Sequence, residues 1–185
     1  MSDRRLVDRA LPADYLDEWA AHIAQPKQLA VRGTSSAVVF RVGTEWLAIP
    51  TAVCHEVSAR KPVHAIPHRR NGIVLGLVNV RGDLCLCVSL SGVLGVVETP
   101  YDQPERRRIS RERLLLLEHE GQRLACPVTD MHGVHRYHPD DLQAVPTTVA
   151  KGASVYIRAV LPWQGKAVGL LDEQLLFYTF HRHLA

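Results

Sequence analysis

The sequence predicts a mainly β fold of two small closed barrels, each with about five strands, with a helix ahead of them and another behind. Three observations lead there. The first is an internal repeat: FRVGTEWLAIPTAVCHEV (residues 40–57) aligns without a gap on LEHEGQRLACPVTDMHGV (117–134), 77 positions further on. The second is the texture between the ends, where short runs rich in Val, Ile and aromatics are divided by Gly, Pro and Thr, as strands and tight turns are. The third is that helical signals stand at the two ends. Strands this short, in two similar units, favour closure because a closed barrel leaves no exposed edge.

Taken in order, Leu11, Tyr15, Trp19 and Ile23 recur every fourth residue and form one apolar stripe. Pro12 suits an early helical position and Pro26 stops the helix, so residues 1–32 form an N-terminal helical extension. Its stripe either packs on the main domain or docks on a partner. From Ala37, AVVFRVG, EWLAIP and TAVCHEVSA read as strands. Residues 58–72, SARKPVHAIPHRRNG, carry two prolines and no periodicity and read as a loop. IVLGLVNVRGDLCLCVSL (73–90) gives two strands around a turn at Arg81-Gly82-Asp83, and SLSGVLGV a short helical turn capped by Ser89 or Ser91.

This first barrel spans residues 33–96, and the polar, arginine-bearing stretch 97–112 is a linker. The second barrel, 113–185, repeats the plan. RLLLLEHEGQRLACPVTDMHGVHRY reads as strand, turn, strand, and VYIRAVLPWQGKAVGLL is a hairpin matching the one at 76–88 after a shift of several residues. Asp172 then opens a closing helix.

Composition narrows the function classes. With 46% hydrophobic and 22% charged residues in 185, the chain suits a soluble globular domain. A formal net charge of +3 does not by itself call for nucleic acid or an anionic membrane. The five arginines of ERRRISRER lie in the linker, among glutamates and without aromatics, which reads as a solvated segment and not a nucleic-acid site. No run of about 18 apolar residues marks a membrane span, and the start lacks the apolar stretch of a signal peptide. The expected setting is the cytoplasm, with Cys54, Cys85, Cys87 and Cys126 as reduced thiols.

Cys85 and Cys87 tempt one toward a metal or redox site. Alternation along a strand puts them on one face and Leu84, Leu86 and Val88 on the other, so the strand reads as buried on both sides. A zinc site needs about four ligands, and no C-x-x-C or second cysteine pair supplies them. His132, His135 and His138 are spaced by three, but Gly133 and Pro139 bracket them in strand and loop. No nucleophile elbow, P-loop or dinucleotide fingerprint is present, and Asp140-Asp141 read as a turn or cap. The expectation is a protein without catalysis, metal or cofactor.

The residues then point to a family. GLVNVRGDLCLCVSL resembles the Asn-x-Arg-Gly hairpin of CheW-like domains, FRVGTEWLAIPTAVCHEV its opening hairpin, PVHAIP its proline loop and LLDEQLL its ending. The similarity runs over roughly residues 36–180. It implies two five-stranded β-barrels packed around a shared core. It also implies a non-catalytic adaptor that couples methyl-accepting chemoreceptors to a CheA-type histidine kinase regulatory domain, in arrays reached through partners rather than by membrane insertion. The alternative is an array-building or localisation module that binds only other CheW-like domains. Carried over by position, Arg81 is the coupling arginine, Glu56 lies near the receptor-contacting surface with Cys54 and Val57 as apolar neighbours, and Asn79, Val80 and Gly82 make up the turn. On physical grounds Arg81 either reaches a partner carboxylate or braces a loop. The chain departs from the family at Leu86, Ser89-Leu90 and Thr129, in a longer loop before Gly76, and in the N-terminal extension.

Overall fold

A computed structural model describes residues 34–67, 72–96, 112–146 and 154–184. The N-terminal stripe and the arginine-rich linker through residue 111 lie outside the described residues. Ten strands follow in chain order: β1 (Ser35–Val42), β2 (Glu45–Pro50), β3 (Cys54–Ala59), β4 (Val74–Val80), β5 (Asp83–Val88), β6 (Arg113–His119), β7 (Gln122–Val128), β8 (Asp130–Tyr137), β9 (Ile157–Trp163) and β10 (Lys166–Leu171). Among the described residues lie the helices α1 (Leu90–Leu94) and α2 (Glu173–Leu184).

The strands form two five-stranded sheets, ordered β8-β1-β2-β10-β9 and β3-β6-β7-β5-β4. This corrects the partition into contiguous barrels at 33–96 and 113–185. Each sheet joins the first hairpin of one repeat to the three later strands of the other. The chain crosses between sheets over Thr51–Val53 and again over Thr129, the single residue separating β7 from β8. One residue is too few for a hairpin reversal, so β8 leaves the sheet of β7 and pairs with β1. At that crossing the Thr129 hydroxyl accepts the Gly43 N–H at 3.0 Å, and its own N–H donates to the Arg41 carbonyl at 2.8 Å.

The repeat extends to fine detail. The parallel pair Leu86↔Leu124 and Cys87↔Ala125 recurs as Gly169↔Leu47 and Leu170↔Ala48, so the first hairpins match at an offset of 77 and the later ones at 83. Register breaks recur as well: His55 and His132 are skipped in the pairings of β3 and β8, and Leu75 and Arg158 in those of β4 and β9. Such bulges re-aim the side chain they carry. Each sheet also closes on its far strand through a loop residue following the exchanged strand. His64 exchanges two 2.8 Å backbone hydrogen bonds with Leu77, and Gln143 two 2.9 Å bonds with Val160. Gly76 makes the first closure possible, because at φ +144 a Cβ there would lie 2.2 Å from the His64 carbonyl oxygen.

Helix starts repeat too. Ser89 caps α1, its Oγ accepting the Gly92 N–H at 3.0 Å, and the Asp172 carboxylate accepts the Leu175 N–H at 2.9 Å. Of the two candidate serines, Ser89 is the one that serves as the cap.

Burial explains why so many strands read as apolar on both faces. Val38, Phe40 and Val42 of β1, Leu115 and Leu117 of β6 and Cys126 of β7 join a core between the sheets, closed by Leu176, Phe177 and Phe180 of α2. The intervening residues Ala37, Val39, Leu161 and Leu170 fill the barrel formed by β8-β1-β2-β10-β9, from here on the first, and Val78, Val80, Cys85, Cys87, Leu114 and Leu116 fill that of β3-β6-β7-β5-β4, the second. Cys85 and Cys87 are therefore packing residues facing a barrel interior. Leu84 departs from expectation: it lies at the start of β5, outside the shared core, and is 69% exposed.

Burial sets the chemistry of the thiols. Desolvation pushes Cys87 up from 9.0 to about 11 and raises Cys126 further, the nearby Cys87 adding to the effect. Unfolded thiols lose their protons near pH 9 while these two keep theirs. Folded-state stability from this source is therefore intact below pH 9 and declines as the pH rises toward 11. Urea unfolding at pH 8, 9.5 and 10.5 should show that decline, with a shallower slope in Cys87→Ala. Native alkylation at pH 8 should reach Cys54, which is only half-buried, well before Cys87 or Cys126.

Candidate functional site

Of the predicted site residues, Arg81 and Glu56 meet at one end of the second barrel, where Asn79 and Gly82 shape the turn. The turn between β4 and β5 has two central residues, Arg81 and Gly82, inside the closing pair Val80↔Asp83. Both take positive φ, +55° and +100°, the geometry whose twist matches flanking strands. Glycine adopts it freely, whereas arginine does so at a cost of about 1 kcal/mol or more. Asn79 offsets part of this by accepting the Gly82 N–H on its Oδ1 at 2.9 Å.

The guanidinium of Arg81 reaches across to β3, where its Nη2 lies 2.9 Å from Glu56 Oε1. Arg81 is 78% exposed at its side chain and Glu56 only 21%. One carboxylate thus anchors an arginine most of whose donors still face outward. Among the other predicted residues, Val57 is partly exposed and Cys54 half-buried against the shared core. Val80 is the exception: at 4% exposure it points into the barrel, so it shapes the turn through its backbone and offers a partner nothing.

Sequence reading missed the charges beside this turn. Glu118 of β6 and Arg123 of β7 are register partners, and Glu118 Oε2 accepts from Arg123 Nε at 2.7 Å. The bulged His55 places Nδ1 3.2 Å from the same carboxylate, and Arg123 Nη1 lies 3.7 Å from Asp83. The hydrogen bond and charge of Glu118 hold the Arg123 guanidinium still more firmly protonated. A polar row thus crosses β3, β6, β7 and β5, with exposed Leu84 following Asp83. The Glu-His-Glu-Gly-Gln-Arg turn joining β6 to β7 held the signal for the Glu118–Arg123 pair; nothing local signalled their meeting with His55 and Asp83.

Among the described residues, no group of three or more His, Cys, Asp or Glu side chains could hold a metal ion. None of the described helices is long and apolar enough to cross a membrane.

Two interlocked five-stranded sheets with a closing helix define a CheW-like fold. The profile of the CheW-like domain matches residues 36–180, and the chain belongs to that family. Among solved structures it is similar to the scaffolding protein TtCheW of Thermoanaerobacter tengcongensis. That match has a TM-score of 0.63 and 20% identity, covering 77% of this chain and 87% of the other. A search of curated proteins gives no match.

Proposed function

We propose that this protein is a non-catalytic adaptor, coupling a methyl-accepting chemoreceptor tip to the regulatory domain of a CheA-type histidine kinase in the cytoplasm. The observation that carries the reading is Arg81: a charged, outward-facing guanidinium held at positive φ on a two-residue turn and aimed by Glu56. Glu120 and Gln164 take similar φ in two other two-residue turns, so what distinguishes Arg81 is its exposed charge and its pairing with Glu56. Membership of the CheW-like family and likeness to a scaffolding protein support the same reading.

Binding of the full chain to a receptor cytoplasmic fragment, and to the kinase regulatory domain, tests it. Binding to neither sinks the adaptor. Binding to the kinase domain alone favours the array-building module. Leu84 supplies a sharper probe, because it is exposed and its replacement costs the fold little. Leu84→Lys should change unfolding free energy by less than about 0.5 kcal/mol yet weaken partner binding roughly tenfold. Calorimetric titration beside urea unfolding reads both.

A further inference from the structure

The polar row at the end of the second barrel has a positional counterpart on the first. At offsets of 77 and 83, His55, Glu118, Arg123 and Asp83 correspond to His132, Arg41, Trp46 and Lys166, and Val80 corresponds to Trp163. The strand registers agree: Arg41 faces Trp46 as Glu118 faces Arg123, and Lys166 faces Trp163 as Asp83 faces Val80. The chemistry is reversed. Where one end has the acids Glu118 and Asp83, the other has the cations Arg41 and Lys166.

The side chains form one cluster. The rings of Trp46 and Trp163 are 5.2 Å apart, and His132, re-aimed by its bulge, meets Trp163 edge-on at 4.3 Å. The Lys166 ammonium lies 4.5 Å from the Trp46 ring centre and 5.6 Å from that of Trp163, and the Arg41 guanidinium 5.9 Å from Trp46. Two cations share one carboxylate there, since Asp130 pairs with Arg41. Lys166 has no carboxylate within ion-pair distance among the described residues. Asp130 pairs with Arg41 Nη2 at 3.9 Å, an ion pair without a hydrogen bond. Arg41 Nε is buried without an acceptor, which is costly for a charged group.

We infer that this cation–aromatic cluster is a second binding surface, and that it takes a carboxylate-bearing segment of a protein partner. Such a carboxylate would meet the exposed Lys166 and supply negative charge of the kind that Glu118 and Asp83 provide at the other end, while Trp163, buried in the barrel core, and Trp46, packed against that core, form the apolar floor beneath the ammonium. The inference does not rest on the adaptor reading, since it concerns a surface distant in sequence from Arg81 and predicts ligand chemistry only.

The test uses the full chain and a fluorescently labelled, end-capped hexaglutamate peptide at low salt, followed by anisotropy. Hexaglutamine serves as the uncharged comparison. Wild type should bind hexaglutamate and not hexaglutamine. Lys166→Met, which keeps the aliphatic contact with both indoles, should weaken binding about fivefold, and Lys166→Glu more than about tenfold. Lys61→Glu makes the same charge reversal elsewhere and should leave binding unchanged. Thermal unfolding of each variant separates lost binding from lost fold. Absence of wild-type binding, equal binding by Lys166→Glu, or an equal loss in Lys61→Glu would overturn the proposal. Concentration-dependent self-association of wild type that Lys166→Glu abolishes would overturn the assignment to a separate partner.

Discussion

Phe40→Ala is expected to lower the unfolding free energy by about 3–5 kcal/mol, enough to threaten the fold. The ring is fully buried in the core between the sheets, where β1, β6, β7 and α2 meet. No mobile neighbour can collapse into the space, because the surrounding side chains come from strands fixed in register on both sides. A domain of this size has only about 5–15 kcal/mol of stability to lose, so the variant should be marginal at physiological temperature. Urea unfolding followed by far-UV circular dichroism measures the loss. The shape of the curve matters as much as its midpoint. Each sheet contains strands from both repeats, so one barrel cannot melt and leave the other whole. With Trp19 replaced by Phe, Trp46 and Trp163 report on the first barrel, and their fluorescence should change in step with the circular dichroism with and without Phe40→Ala. Two separated transitions would contradict the interlocked architecture.

That interlocking is the least legible feature of the sequence, although the repeat that produces it is plain. An internal repeat offers each strand two chemically equivalent mates: β3 could meet the hairpin of its own repeat or the matching hairpin of the other. Side-chain pattern cannot choose between them, since Leu115 and Leu117 of β6 present the same apolar alternation as Val38 and Phe40 of β1. Connector length chooses. Thr129 alone cannot reverse the chain, and the extended Pro50 followed by the turn Thr51–Val53 carries β3 away from β2. The turn at Arg81-Gly82 is legible directly because its determinants are local. Val80, expected at the binding surface, turns inward for a related reason: a two-residue turn fixes which flanking side chains face the interior, and Val80 shares that face with Val78 and Cys85. The Glu56–Arg81 contact joins β3 to a turn beyond β4, so it becomes visible only once His64 closes the sheet onto Leu77.

The same contact allows partner recognition to be separated from bracing. In Arg81→Glu two carboxylates would face each other where an ion pair stood. The cost to stability should stay near or below about 1 kcal/mol, because Arg81 is exposed and solvent screens the pair. Binding to the receptor fragment or kinase domain should fall far more, by about 30-fold or beyond, if the guanidinium meets a partner carboxylate. Glu56→Arg combined with Arg81→Glu then decides the role. The reversed pair restores the attraction between β3 and the turn, so stability should return close to wild type whichever role holds. A brace would regain binding along with stability, since only the internal contact would matter. A contact residue would not, because the turn would still present a carboxylate to a partner that requires a cation. Arg81→Asn completes the comparison: asparagine tolerates positive φ better than arginine, so the turn should hold while the charge is lost. Retained stability with lost binding in both Arg81→Asn and the swapped pair would place Arg81 at the interface. Recovered binding in the swapped pair would make Glu56–Arg81 a structural clasp and move the search for the contact surface to Leu84 and Val57.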